Sequence, residues 1–173
     1  EMLGRVFEHL ISEEERQREG TVYTPRPVVQ FMCREALVPY LSRTAGLEEN
    51  EVRKLLVVDD ALDGITAERG SSAALALAQR IQDAVRNLRA IDPAVGSGAF
   101  LLGLMTELMR LRRLAHIAIE GAEPDAETMH RWRLELIERS LFGVDINPTA
   151  IELCRLRLWL SLLTEEDAAD PHP

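Results

Sequence analysis

The chain has 173 residues, of which 46% are hydrophobic, so it can form one folded domain with a sizeable core. Its formal net charge is −9. A chain this acidic does not bind nucleic acid through its overall field, and any such contact must be local or made by a part that the chain lacks. Cys33 and Cys154 form no C-x-x-C pair, and we interpret them as two reduced, buried thiols of a cytoplasmic protein.

Membrane insertion and metal binding are not expected from the sequence. Arg5, Glu8 and His9 interrupt the first apolar positions, so these do not resemble a secretion signal. Arg155 and Arg157 break the longest apolar stretch near the C-terminus, and we expect no membrane span. The histidines are scattered without Cys or Glu at ligand spacing, which predicts surface side chains and no metal site. They are His9, His116, His130 and His172.

Two stretches near the N-terminus carry helix signals. Residues 1–10 place their apolar side chains on one face at helical spacing. Residues 21–27, T-V-Y-T-P-R-P, contain two prolines, and Pro27 suits the first position of a helix that we expect Pro39 to close. Thr24 stands just before this helix, where its hydroxyl can cap the helix or meet an anion. From the local sequence the simple cap is favoured.

The middle of the chain is predicted to be a helical connector with a loop. Residues 47–58 hold an apolar run whose last part, residues 55–58, fits a strand or the end of a helix equally well. Residues 59–72 are rich in Asp, Gly and Ser, which predicts a flexible loop. Residues 73–87 are alanine-rich and predict a helix that leads directly into the next element.

Strand, turn and helix signals meet in residues 89–100, R-A-I-D-P-A-V-G-S-G-A-F. A short apolar run ends at Asp92, and Pro93 stops it because proline has no N–H to donate. Gly96 and Gly98 follow, and after them apolar residues recur at helical spacing. The pattern predicts a buried strand, a glycine-rich turn and a helix whose N-terminus opens onto that turn.

A second unit of strand and helix follows. After a predicted helix over residues 126–140, residues 141–145, L-F-G-V-D, again form a short apolar run that ends in aspartate. Asn147 and Pro148 supply a cap and a first-turn proline for a last helix, and residues 165–173 are expected to fray. The two units predict the start of a parallel sheet, which two strands leave incomplete.

The turn and the strand ends indicate a nucleotide-like ligand. Glycines let the backbone approach a ligand closely, and the first amides of the helix are unpaired. Asp92 and Asp145 end strands, where ligands bind in parallel sheets, and a carboxylate can accept from both vicinal hydroxyls of a ribose. The plain alternative is an aspartate that only ends its strand. Asp145 lies 47 residues after Gly98 rather than about 20, which an inserted helical element explains.

Two common nucleotide motifs fit poorly. The dinucleotide motif requires a third glycine where Leu101 stands, and the phosphate loop requires lysine where Ala99 follows Gly98. A nicotinamide-dependent oxidoreductase is therefore disfavoured. D-P-A-V-G-S-G-A-F instead resembles the first S-adenosylmethionine motif of the adenine-N6 DNA methyltransferases.

This resemblance covers nearly the whole chain, in the right order. Residues 20–32, G-T-V-Y-T-P-R-P-V-V-Q-F-M, resemble the N-terminal motif of gamma-class adenine methyltransferases. Residues 141–160, L-F-G-V-D-I-N-P-T-A-I-E-L-C-R-L-R-L-W-L, are similar to the second cofactor motif of large fused restriction-modification and phage-defence methylases. Residues 1–10 are similar to the helix that leads into their cofactor domain. The resemblance implies a partial Rossmann-like fold, helix-rich α/β, with N-terminal helices and an incomplete parallel sheet.

The resemblance also implies a set of residues around S-adenosylmethionine. The residues that would face the methionine carboxylate are Tyr23, Thr24 and Pro25. Those that would wrap the methionine and the ribose are Asp92, Pro93, Ala94, Gly96 and Gly98, with Phe100 packed behind the turn. Asp145 would hold the ribose hydroxyls and Ile146 would lie against the adenine.

The catalytic group of the family is not recognisable in this chain. The family uses Asn/Asp-Pro-Pro and an aromatic residue to hold the flipped adenine. The chain contains no Pro-Pro pair, and Asn147-Pro148-Thr149 lacks both the second proline and the aromatic. We therefore expect the chain to be an inactive N-terminal fragment of a DNA adenine-N6 methyltransferase. The full-length enzyme would contact DNA through regions that are absent from the chain.

The expected organisation has four parts. Residues 1–45 hold the N-terminal helices, 46–87 the connector, 88–165 the first half of the cofactor domain and 166–173 the frayed tail. The competing hypothesis is a helical interaction module that keeps a nucleotide-binding-like fold without a ligand. The sequence leaves the oligomeric state open.

Overall fold

The computed structural model describes residues 24–57 and 72–163. The predicted N-terminal helix with Tyr23, most of the loop over residues 59–72 and the tail over residues 166–173 lie outside the described residues. Within those ranges the elements are α1 Arg26–Ala45, α2 Glu49–Val57, α3 Ser72–Asn87, β1 Ala90–Asp92, α4 Ala99–Glu120, α5 Ala126–Arg139, β2 Leu141–Gly143 and α6 Pro148–Leu163.

The two strands form a parallel pair. Ala90 lies opposite Leu141, and Asp92 lies opposite Gly143. Hydrogen bonds extend the pairing at both ends: the amide of Ala90 donates to the carbonyl of Ser140 at 2.8 Å, and that of Val144 to the carbonyl of Asp92 at 2.8 Å. The prediction of a helix-rich α/β chain with a parallel sheet is thereby confirmed.

Helix α4 is the centre of the core. It packs against α1, α3 and α5, and its residues Leu108 and Leu111 are fully buried. Its apolar residues recur on more than one face, as expected of a helix surrounded by others. Because α4 begins directly after the glycine turn, the packing of this helix positions the turn.

The sheet is covered on one face only. Ala90 packs on the core and its partner Leu141 is buried, whereas the next pair, Ile91 and Phe142, are 67% and 46% exposed. Successive residues of a strand point to opposite faces, so the exposed pair marks the other side of the sheet. Parallel sheets are normally covered on both faces, and the described residues supply no cover for this one.

One local prediction differs from the structure, and one choice that the sequence left open is decided by it. Pro39 does not end α1, which continues to Ala45. A proline inside a helix costs about 3 kcal/mol, and complete burial of Leu41 and Ala45 beyond it offsets that penalty. The undecided run over residues 55–58 is helical up to Val57, where α2 ends.

Helices α1 and α4 touch at a glycine. A Cβ atom on Gly103 would lie 2.5 Å from Cγ1 of Val29, closer than packed carbon atoms approach each other. Valine is stiff at χ1, so its methyl group cannot simply turn aside. The absence of a side chain at Gly103 therefore sets the distance between the two helices.

We expect Gly103→Ala to lower the free energy of unfolding by about 1–2 kcal/mol, because overpacking outweighs the better helix propensity of alanine. Urea unfolding measures this change. Adding Val29→Ala to the variant removes the clashing methyl group and should restore part of the loss. A Gly103→Ala protein more stable than the wild type would contradict this packing.

Candidate functional site

Asp92 ends β1 with one carboxylate oxygen unsatisfied. Its Oδ1 accepts a hydrogen bond from the amide of Ala94 at 3.0 Å. Its Oδ2 is buried and has no hydrogen-bond partner among the described residues. A buried carboxylate oxygen without a donor is unfavourable, so the strand end has capacity for a donor on a ligand. Pro93 and Ala94 form the exposed turn beside it.

The two glycines of the turn face different surroundings. Both have positive φ, 51° at Gly96 and 84° at Gly98, and the amide of Gly98 closes the turn by donating to the carbonyl of Val95 at 2.8 Å. A Cβ atom on Gly96 would have no other atom within 4 Å, whereas one on Gly98 would lie 2.6 Å from Sγ of Cys154. Gly96 is therefore open to a ligand, and Gly98 is required for packing against α6.

Asp145 is joined directly to the glycine turn. Its Oδ2 accepts from the amide of Gly96 at 2.8 Å, and its Oδ1 accepts from the amide of Asn147 at 2.9 Å. The structure thus brings together two predicted site residues from different strand ends. Each carboxylate oxygen has a second lone pair, so Asp145 can still accept from hydroxyl groups of a ligand.

Phe100 and Ile146, the two remaining apolar residues of the predicted site, differ in exposure. Phe100 is half-buried in the first turn of α4, and its carbonyl accepts from the thiol of Cys33 at 3.5 Å. Ile146, next to Asp145, is 97% exposed. A large apolar side chain in water is stabilised when a flat apolar ligand covers it.

Thr24 does not cap α1. The capping position is occupied by Pro25, and no side chain makes a capping hydrogen bond there. The favoured interpretation of Thr24 as a simple cap is therefore wrong. No described hydrogen bond joins Thr24 to the glycine turn either. Its helix reaches α4 through Cys33 and Val29, so the structure links the two segments through helix packing.

Two residues of α6 that sequence reasoning missed contact the turn. Nη1 of Arg157 lies 2.8 Å from both the carbonyl oxygen and the hydroxyl oxygen of Ser97. Cys154, three positions earlier and on the same helix face, packs on Gly98. Their positions after Asp145 could have predicted this contact. A helix that begins beside a strand end has one face directed towards the neighbouring turn, and both residues lie on one face.

A buried ionic cluster holds α1 against α4 behind the site. Glu107 is 2% exposed, and its Oε1 accepts from Nε of Arg34 at 2.8 Å and Nε2 of Gln30 at 3.2 Å. Nε of Arg110 lies 3.5 Å from its other carboxylate oxygen. The contact with Arg110, which lies on α4 itself, is an ion pair without a hydrogen bond. The two hydrogen bonds from α1 to Oε1 partly offset the burial of the carboxylate and link α1 to α4.

Neither a metal cluster nor a membrane span is found in the described ranges. Within residues 24–57 and 72–163, no three His, Cys, Asp or Glu side chains gather as a metal ion requires. No helix in these ranges is long and apolar enough to cross a membrane. His116 is half-buried rather than on the surface, because its ring packs edge-on against Trp132 with 5.4 Å between centroids.

Comparison with known proteins points to one class of enzyme. Over 96% of its length the chain is 28% identical to a protein of Methanocaldococcus jannaschii named as a type II restriction enzyme and methyltransferase. Over 44% of its length it is 36% identical to the adenine-specific methyltransferase PglX of Streptomyces coelicolor. These relatives support a methyltransferase family.

The methyltransferase relatives are much longer than this chain. The chain spans 14% of the length of the first and 6% of the second. No protein-family model matches the chain, and no solved structure matches it significantly.

The two glycines should respond differently to alanine. Gly96→Ala adds only the strain of a positive φ, about 1–2 kcal/mol, because its methyl group meets open space. Gly98→Ala adds the same strain and a clash with Cys154, so we expect a loss of about 2–4 kcal/mol. Urea unfolding of the two variants compares them. Equal losses would show that α6 does not press on the turn.

The thiol of Cys33 makes stability sensitive to alkaline pH. Burial, followed by the carboxylates of Glu107 and Asp92, raises the pKa of Cys33 from 9.0 to about 11. The unfolded thiol therefore ionises first, and its contribution, complete below pH 9.0, is lost as pH rises through about 11. Between about pH 8 and 10.5, we expect a loss of about 1–2 kcal/mol that Cys33→Ala lacks, because solvent screening reduces the effect of the full pKa shift. Identical pH dependence of unfolding in both proteins would contradict this.

Proposed function

We propose that the chain binds S-adenosylmethionine and forms the N-terminal, cofactor-binding part of a gamma-class DNA adenine-N6 methyltransferase in a restriction-modification or phage-defence system. The hydrogen bond between Gly96 and Asp145 carries the proposal, because it joins the glycine turn to the acidic strand end that a ribose would meet. The methyltransferase names of the relatives support the same class of cofactor and a DNA substrate.

The polar groups at the strand ends suit the ribose and methionine parts of this cofactor. Asp145 would accept from the ribose hydroxyls while keeping its bonds to Gly96 and Asn147. The unpaired Oδ2 of Asp92 would accept from a donor on the cofactor, such as the ammonium of its methionine part. Two carboxylates at one sheet edge also favour a positively charged ligand. The cofactor has such a charge on the sulfur that carries its transferable methyl group.

The apolar and backbone groups would complete the cofactor site. Ile146 would lie against the adenine, which would cover a side chain that is now 97% exposed. Gly96 has the open space that close approach of a ligand requires, with Pro93 and Ala94 beside it. The segment Tyr23-Thr24-Pro25 would face the methionine carboxylate, and the Thr24 hydroxyl is not engaged as a helix cap.

The fold of residues 88–163 suits the first half of a Rossmann-like methyltransferase domain. Its two parallel strands are neighbours, and the proposed ligand groups gather at their carboxyl ends, as in open α/β sheets generally. Residues 24–45 would form the preceding helical segment, and residues 46–87 the connector between the two.

Methyl transfer would require residues outside these 173. The chain contains no Pro-Pro pair, and its relatives are several times longer. We therefore propose that the group that acts on adenine, and the surfaces that hold DNA, lie elsewhere in the protein. The net charge of −9 agrees with this division, because a DNA-holding surface carries local positive charge.

A ligand cycle tests the assignment of Asp145. Calorimetric titration of the 173-residue chain with S-adenosylhomocysteine should give saturable binding. Replacing one ribose hydroxyl of the ligand by hydrogen should weaken wild-type binding by about 1.5–3 kcal/mol, as for hydrogen bonds to a charged group. In Asp145→Ala the same change of ligand should leave the binding free energy almost unchanged, because the carboxylate that accepts the hydrogen bond from the hydroxyl is absent.

The control is Asp83→Ala, which removes the same charge from an exposed position on α3 and should keep the full ligand discrimination. Discrimination that survives in Asp145→Ala would refute the ribose contact. No saturable binding of any adenosine ligand by the full-length protein, as opposed to these 173 residues, would favour the ligand-free interaction module.

A further inference from the structure

The three central residues of the glycine turn are each held by a different side chain of the unit formed by β2 and α6. Gly96 donates to Asp145, Ser97 accepts from Arg157, and Gly98 packs on Cys154. Of these three side chains, the proposed function assigns a role only to that of Asp145. Arg157 is as close to the turn as Asp145, at 2.8 Å from two atoms of Ser97.

We propose that Ser97 binds the methionine carboxylate of the cofactor through its hydroxyl, and that Arg157 is the positioning residue that orients this hydroxyl and holds the turn. The proposal rests on the proposed cofactor and adds a contact at its amino-acid end.

The hydrogen bond between Arg157 and the Ser97 hydroxyl can run in one direction only. A guanidinium group can only donate, so the Ser97 hydroxyl oxygen must accept from Nη1 of Arg157. The proton of that hydroxyl then remains, and no acceptor for it is found among the described residues. Ser97 is half-buried rather than enclosed, so a ligand can reach it. The Ser97 hydroxyl can therefore donate a hydrogen bond to an anionic acceptor such as a carboxylate.

Helix α6 contacts the turn through two of its side chains. Cys154 and Arg157 share one face of the helix, and Cys154 already touches the turn at Gly98. Arg157 also places a positive charge next to the turn. This local charge attracts a carboxylate even though the chain as a whole has a net charge of −9. Its neighbour Arg155 is different, because it is exposed and pairs with Glu152 on its own helix at 3.0 Å. Arg155 therefore provides a matched control of equal charge.

The positioning role can be tested without any ligand. Hydrogen exchange of the Gly96 and Gly98 amides, followed by NMR, reports whether the turn stays closed. In Arg157→Ala we expect both amides to exchange at least about tenfold faster, while amides in the centre of α4 keep their rates. In Arg155→Ala the turn amides should keep wild-type rates. Wild-type exchange of the turn in Arg157→Ala would overturn the positioning role.

The carboxylate contact is tested with two ligands. Methylthioadenosine keeps the adenosine part of S-adenosylhomocysteine and lacks its amino-acid end. We expect Ser97→Ala and Arg157→Ala each to weaken S-adenosylhomocysteine binding about five- to tenfold and to leave methylthioadenosine binding nearly unchanged. The double variant should lose no more than about the larger single effect, because the two side chains act through one hydroxyl. Arg155→Ala should bind both ligands like the wild type.

The outcomes separate this proposal from the proposed function. Equal losses for both ligands, or additive losses in the double variant, would overturn the carboxylate contact while leaving cofactor binding intact. Wild-type protein that binds neither ligand would overturn the proposed function and, with it, the contact to the carboxylate. The exchange experiment would still decide whether Arg157 holds the turn.

Discussion

The hydrogen bond from the Gly96 amide to the carboxylate of Asp145 ties the two strand ends into one site. It joins residues 49 positions apart in the sequence at a distance of 2.8 Å. The pairing of Asp92 with Gly143 places Asp145 just past the sheet, within reach of the turn. A slip of one residue in this register would turn the side chains of β2 to the opposite faces of the sheet, so strand pairing decides whether the site exists.

Helix α4 transmits this constraint to the rest of the chain. It begins at the turn, and its buried Glu107 binds Arg34 of α1 at 2.8 Å. Gly103 allows α1 to approach closely, and the thiol of Cys33 contacts the first turn of α4. A buried carboxylate must keep its partners, so α1 has little freedom to rotate. The segment around Thr24 is therefore positioned through helix packing rather than by direct contact with the turn.

The site combines satisfied and unsatisfied groups in a way that suits a ligand. Side chains of α6 and of the segment after β2 hold the backbone of the turn, so it would need little rearrangement to bind the proposed ligand. Around it remain a buried carboxylate oxygen on Asp92, an exposed Ile146 and the hydroxyl proton of Ser97. The sheet face with Ile91 and Phe142 adds apolar surface that the described residues leave exposed.

The sequence by itself determined the local units: the strand, glycine turn and helix around Gly96, and the capped start of α6, where Asn147 accepts from the amide of Thr149 at 2.8 Å. These follow from backbone chemistry within a few residues. Only the tertiary structure decided that α1 passes through Pro39, that Glu107 fastens it, and that Arg157 reaches Ser97, because these depend on burial or on partners 60 or more residues apart. Helical and strand periodicity specifies which face of an element is apolar, but not which distant residue that face meets.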